Sequence, residues 1–150
     1  LRRQRQMCIR DRSYSYWIKL IELEPSTSQV FTKQGDYAQR LNHAIKQVDE
    51  WSDWIKRNEP YFRDCLQKAL QKEYPSFSET LDYTRRFIVS SKIVIGRRAT
   101  LSVDDNKRRA QEYEKSNLDI ITYDRLVDIE QKITQTEKEG KPFSRFWYDD

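Results

Sequence analysis

The sequence predicts an α/β fold in which a mixed sheet is flanked by helices. Three segments rich in β-branched and aromatic residues are typical of strands, at 14–24, 87–95 and 118–122. Between and after them lie amphipathic segments in which apolar residues recur at helical spacing. Because strands and helices alternate along the chain, we expect the last strands to pair in parallel and the helices to cover the sheet.

The starts of the helices are predicted from residues that favour capping. Asp36 is a suitable N-cap for a helix over 37–58. Ser102 and Asp105 resemble a capping box at the start of a highly charged helix. Asp124 is expected to cap the last helix.

The basic charge of the chain is concentrated at its beginning. The formal net charge is +4, and residues 1–12 hold five arginines and one aspartate, so the rest of the chain is neutral. The string RQMCIRDR also resembles a translated sequencing adapter, and the segment combines dense like charge with no apolar periodicity. We therefore expect 1–12 to be a non-native or disordered tail, 13–139 to be the folded domain and 140–150 to be a C-terminal extension.

The composition excludes several classes of protein. No apolar run approaches the roughly 18 residues that a membrane-spanning helix needs, so we expect no membrane partner. Only Cys8 and Cys65 are present, which excludes a disulfide framework and a cysteine zinc site. A reduced, cytoplasmic location fits this cysteine usage.

Two glutamates at the end of the first predicted strand carry the clearest chemical signal. Glu22 and Glu24 are two residues apart, so their side chains lie on one face of the strand. Ile21 and Leu23 lie on the other face. Paired carboxylates repel each other unless a cation lies between them, which suggests a hard metal ion such as Mg²⁺. The alternative is a strand end that exposes two solvated acids paired with nearby lysines.

Three further residues are candidates for positioning water or phosphate. Gln47 shares a helix face with Trp51 and Trp54, and it is either a boundary residue or an amide that holds a catalytic water beside the acidic strand. Arg97 and Arg98 follow a buried strand. They form either a simple basic turn or a nucleic-acid contact, since guanidinium groups suit phosphate oxygens.

The ordered set IELEP, FTKQGD, LNHAIKQVDEWSDWI, IVIGRR and TYDRL resembles the Shedu family of antiphage defence proteins. The resemblance covers about residues 14–135 and is to the C-terminal nuclease domain, of the PD-(D/E)xK superfamily. It implies a restriction-endonuclease-like core and metal-dependent cleavage of DNA, with Mg²⁺ or Mn²⁺ as the cofactor. It also implies a bacterial protein that is a homo-oligomer at full length.

The resemblance assigns roles to individual residues of this chain. It makes Glu22 and Glu24 metal ligands and catalytic residues, and it gives Gln47 the position of the family's helix glutamine. Glu24 stands where such nucleases usually have a lysine, whose positive charge a glutamate cannot supply. The metal-binding aspartate of the preceding strand falls in the expected tail, whose single acid is Asp11. We therefore expect an N-terminally truncated fragment with little or no nuclease activity; the alternative is a non-catalytic nucleic-acid-sensing or assembly module on the same fold.

Overall fold

The structure, a computed structural model, describes residues 5–12, 14–75, 80–116 and 118–138, and it gives only the backbone for 5–12 and 133–138. Its elements are β1 (Arg5–Arg12), β2 (Ser15–Leu23), α1 (Gln39–Arg57), α2 (Glu59–Glu73), β3 (Arg86–Val94), α3 (Val103–Ser116), β4 (Leu118–Ile121) and α4 (Tyr123–Lys138). The strands form one sheet in the order β1-β2-β3-β4. The expected extension at 140–150 lies outside the described residues.

The sheet is mixed and is flanked by helices, which confirms the predicted fold class. β2, β3 and β4 run parallel, and β1 is antiparallel to β2. Parallel neighbours need long crossover connections. α1 and α2 connect β2 to β3, and α3 connects β3 to β4. Within the described part of the chain, no helix combines the length and apolar character needed to cross a bilayer.

The first strand differs from the expectation that residues 1–12 form a disordered tail. β1 pairs with β2 from Arg5 opposite Glu22 to Arg12 opposite Ser15. The physical reason is that the outer edge of β2 carries backbone N–H and C=O groups that need partners. The segment also contains three consecutive apolar residues, Met7, Cys8 and Ile9, among its charged residues.

Each face of the sheet buries its own set of side chains. On the face covered by α1, β3 and β4 pack against α1 and the loop before it. The buried residues of this cluster are Val30, Phe31, Leu41, Ala44, Val48, Ile93, Ile95, Leu118 and Ile120. The same face of β2 packs against α1 and α2 through Tyr16, Ile18, Leu20, Ile55, Leu66 and Leu81. The opposite face is covered by α4, in a cluster of Ile21, Val94 and Ile121 with Leu23, Tyr123 and Leu126.

The starts of two helices confirm one predicted cap and correct another. The Ser102 N–H donates to the Asp105 carboxylate at 2.9 Å, and the Asp105 N–H donates to the Ser102 hydroxyl at 3.1 Å, which is the predicted capping box. The prediction that Asp36 caps α1 is wrong, because the N-cap is Ala38. Asp36 belongs instead to a preceding turn, in which its N–H donates to the Thr32 hydroxyl.

Candidate functional site

Glu22 and Glu24 lie at the C-terminal end of β2, on the face that α1 covers. Each residue is only 2% exposed. Ile21 and Leu23 pack against α4 on the other face, as the alternation of a strand predicts. Carboxylates buried to this extent are costly unless a cation or hydrogen-bond donors lie beside them.

α1 runs antiparallel to β2 across this face, as its contacts at both ends show. Near the start of the helix, Arg40 Nη1 lies 3.5 Å from Glu24 Oε2. Near its end, Trp51 and Ile55 pack in the cluster that contains Leu20. The helix therefore passes over the end of β2 that carries the two glutamates.

Gln47 lies between these two contacts on the same side of α1. It is seven residues from Arg40, about 10 Å along the helix axis, and one turn before Trp51. Gln47 Oε1 is buried and has no hydrogen-bond partner among the described residues. Glu24 Oε1 is also buried and also has no hydrogen-bond partner among the described residues. Two of the residues singled out from the sequence therefore contribute buried acceptor atoms on the side of β2 that α1 covers.

The backbone of Glu24 is held by β3 on one side and by α4 on the other. Its N–H donates to the Val94 carbonyl at 2.9 Å, and its carbonyl accepts a hydrogen bond from the Tyr123 hydroxyl at 2.8 Å. Burial raises the pKa of Tyr123, and the negative charge of Glu24 raises this pKa further. Tyr123 therefore remains a hydroxyl donor at neutral pH, which fixes the position of Glu24.

Arg97 and Arg98 lie beyond the end of β3, with their charges already paired with carboxylates of α4. Arg97 Nη2 lies 2.8 Å from Asp124 Oδ1, and Arg98 forms an ion pair with Asp128. The side chain of Arg97 and the backbone N–H of Arg98 together hold the pKa of Asp124 well below its usual range. The prediction that Asp124 caps α4 is wrong, since it lies in the first turn of that helix. Phosphate contact by the two arginines stays a prediction.

Lys92 is a buried cation that the sequence pattern did not single out. Its Nζ lies 2.7 Å from Asp119 Oδ2, and its side chain is 6% exposed. Lys92 pairs with Ile21 in the parallel ladder, so it lies on the α4 face of the sheet. Because Glu22 faces the other way, Lys92 cannot supply the positive charge that a lysine at position 24 would bring to the site.

The described residues hold no third acid beside the two glutamates. Within this part of the chain, no group of three His, Cys, Asp or Glu side chains could hold a metal ion. Arg5 is the residue opposite Glu22 in β1. Asp11 pairs with Tyr16, which lies six residues, or about 20 Å, along β2 from Glu22. Asp11 is therefore too distant to complete the site.

Comparison with known proteins relates this site to a defence protein family. The family model described as "Shedu protein SduA, C-terminal" matches residues 7–127. The matched region begins within β1 and ends in α4, so it includes the two glutamates, Gln47 and Arg40. No curated protein matches the chain.

Proposed function

Because the chain belongs to the Shedu SduA C-terminal family of antiphage defence proteins, we propose that it is a metal-dependent DNA endonuclease domain acting in the bacterial cytoplasm. The observation that carries the proposal is the burial of Glu22 and Glu24 on one face of β2, beneath α1. Buried carboxylates at a strand end favour a bound cation. A divalent cation held in this way promotes hydrolysis of phosphodiesters.

A hard divalent cation, Mg²⁺ or Mn²⁺, fits the donor atoms of this region. Glu24 Oε1 and Gln47 Oε1 are buried acceptors that lack hydrogen-bond partners among the described residues. Glu22 adds a second buried carboxylate. Mg²⁺ prefers oxygen ligands and commonly uses one or two carboxylates, because it keeps several of its waters. Glu22 and Glu24 would therefore hold the ion, and water and a DNA phosphate would complete its shell.

The side chains of the site would have separate tasks in hydrolysis. Glu22 and Glu24 would hold the Mg²⁺, which would supply a water of lowered pKa and polarise the phosphate. Gln47 accepts a hydrogen bond from the attacking water and orients it, and Glu24 takes up the proton that this water loses. The water oxygen bonds to phosphorus, the bond from phosphorus to the leaving sugar oxygen breaks, and that oxygen takes a proton from solvent.

A second candidate function is a non-catalytic module that senses nucleic acid or assembles the full-length protein. Two observations favour it. The described residues lack a third acid beside the glutamates. The buried Lys92 is paired with Asp119 on the opposite face of the sheet. A domain that lacks both a third acid and a lysine beside the two glutamates would bind DNA without cutting it. A cleavage assay therefore distinguishes the two functions.

Nicking of supercoiled plasmid DNA tests the proposed endonuclease. We expect little nicking activity with Mg²⁺ or Mn²⁺, because the site lacks a third carboxylate among the described residues. We expect EDTA to abolish the nicking that remains. Glu22→Gln and Glu24→Gln keep the shape of the side chain and should reduce nicking to background. Glu50→Gln on α1 is a matched control, since its side chain is 64% exposed.

Two results would count against the proposed endonuclease. Nicking that persists in EDTA or in Glu22→Gln would contradict the assignment of the site. Complete inactivity, both in this chain and in an Arg5→Asp variant that places a carboxylate opposite Glu22, would favour the non-catalytic module.

A further inference from the structure

We propose that Arg40 is the cation that contacts the scissile phosphate, in place of the lysine that Glu24 replaces. The inference rests on the proposed function, because it assigns a residue to the same reaction. Arg40 Nη1 lies 3.5 Å from Glu24 Oε2, so the guanidinium stands beside the acid pair. Glu24 is buried, whereas the side chain of Arg40 is 59% exposed. Arg40 therefore reaches from the buried carboxylate to the surface that DNA would approach.

Arg40 differs from an arginine of the same chain whose role is structural. Arg63 is 2% exposed and donates to the backbone carbonyls of Asp82 and Arg85 at 2.7 and 2.8 Å. Arg40 makes one long hydrogen bond, to Glu24, within the part of the chain that the structure describes. A guanidinium has five N–H donors in a planar fork. Arg40 can therefore bind a phosphate with its other donors while Nη1 stays beside Glu24.

The position of Arg40 in α1 also favours an incoming anion. Arg40 lies in the first turn of the helix, where the backbone carries partial positive charge and a second positive charge is unfavourable. This turn has no acidic residue, and Ala38 at the N-cap makes no side-chain hydrogen bond to it. A phosphate near Arg40 would be stabilised by the guanidinium and by the start of the helix together.

Two other cations near this end of the sheet are paired with acids at shorter distances. Lys92 Nζ lies 2.7 Å from Asp119 on the α4 face. Arg97 Nη2 lies 2.8 Å from Asp124. Breaking either pair to reach a phosphate would sacrifice a close ion pair, whereas Arg40 can reach one without leaving its 3.5 Å contact with Glu24.

The task assigned to Arg40 is electrostatic and involves no proton transfer. As the water oxygen bonds to phosphorus and the bond to the leaving sugar oxygen breaks, negative charge builds up on the other phosphate oxygens. Hydrogen bonds from a guanidinium to these oxygens stabilise that charge, because its planar fork of N–H donors matches the geometry of phosphate oxygens. The proton of the water still passes to Glu24, as in the proposed hydrolysis.

Binding of a short fluorescent DNA duplex at several salt concentrations tests the contact without relying on cleavage. We expect Arg40→Ala to weaken binding about tenfold, as for loss of one charged hydrogen bond. The slope of log affinity against log salt should become smaller by about 0.9, the value for one phosphate contact. Arg40→Lys should keep most of the slope. Lys46→Ala is the matched control on α1, because its side chain is 75% exposed and pairs only weakly with Glu50.

Combining Arg40→Ala with Glu24→Gln distinguishes phosphate contact from simple neutralisation of Glu24. If Arg40 contacts phosphate, Arg40→Ala weakens DNA binding about equally in the wild-type and Glu24→Gln backgrounds. Loss of the effect in the Glu24→Gln background, or failure of the wild-type chain to bind the duplex, would overturn the assignment. Failure of the endonuclease proposal has a different signature: a chain that binds DNA through Arg40 but shows no metal-dependent nicking.

Discussion

Arg5 and Glu22 are paired directly across β1 and β2. In an antiparallel pair, opposite residues lie on the same face of the sheet, with their Cβ atoms about 5 Å apart. A basic residue type therefore occupies the strand position opposite Glu22. The endonuclease that we propose would gain a further oxygen ligand from an acid beside Glu22, and position 5 is the position of β1 directly opposite it.

Arg5→Asp should increase the affinity of the chain for Mg²⁺. The substitution removes a positive charge and adds an oxygen ligand opposite Glu22, and both changes favour a bound cation. Ligand that binds only the folded state stabilises it, so the thermal midpoint of this variant should rise more steeply with Mg²⁺ concentration than that of the wild type. Gln6→Asp is the control, because it introduces the same acid at the neighbouring position of β1, which pairs with Ile21 and not with Glu22. An equal rise in both variants would show a general charge effect instead.

Deleting residues 1–12 should destabilise the fold. β1 pairs with β2 over the whole length of the strand, so its removal leaves one edge of β2 without backbone partners. We expect a loss well above about 1 kcal/mol in the free energy of unfolding, more than a typical surface change produces. Urea denaturation measures it. An unchanged midpoint would support the original expectation that this segment lies outside the fold.

Lys92→Met should destabilise the protein by about 3 kcal/mol, because it leaves the partly buried carboxylate of Asp119 without its partner. Lys92→Met with Asp119→Leu should recover much of this loss, since it replaces the ion pair with apolar contacts. Chemical denaturation measures both variants. DNA affinity should stay unchanged in both, because the pair lies on the α4 face. A folded Lys92→Met variant with weakened DNA binding would show that Lys92 acts in the site.

The Asp124→Asn variant should lose less of its free energy of unfolding in acid than the wild type does. Hydrogen bonds from Arg97 and Arg98 lower the pKa of Asp124 from its usual value of 3.8. A carboxyl with a lower pKa in the folded state stabilises the fold above its unfolded pKa, and this stabilisation is lost as the pH falls through the folded value. The wild type should therefore lose stability below pH 3.8, and Asp124→Asn should lose less. Denaturation midpoints at neutral and acid pH measure this difference, and the exposed Asp104→Asn is the control. An equal fall of the midpoint with pH in all three proteins would exclude the contribution of Asp124.

The sequence predicts the elements and the shared face of Glu22 and Glu24 because both follow from local periodicity. Alternation along β2 fixes which side chains face α1, and the apolar stripe of α1 fixes which side of the helix is buried. β1 escaped prediction because four of its eight residues are charged and its apolar residues are consecutive, so it shows neither strand nor helix periodicity. Its pairing depends on an edge of β2 that no local pattern reveals.

The contacts that give the site its electrostatic character could not be predicted from spacing. Arg40 meets Glu24 because the intervening loop folds back, through a bridge between Phe31 and Tyr37 and a turn in which Gly35 has a φ of 89°. The pairing of Lys92 with Asp119 depends on the register of two strands separated by α3. Both contacts depend on tertiary structure, so the local spacing of residues in the sequence does not predict them.

Calorimetric titration with Mg²⁺ measures the proposed site of Glu22 and Glu24 by itself, without DNA or turnover. We expect Mg²⁺ to bind the wild-type chain and the exposed Glu50→Gln control, and we expect binding to be lost in both Glu22→Gln and Glu24→Gln. No binding by the folded wild type, or binding that persists in both glutamine variants, would contradict the assignment of these two glutamates as the metal ligands.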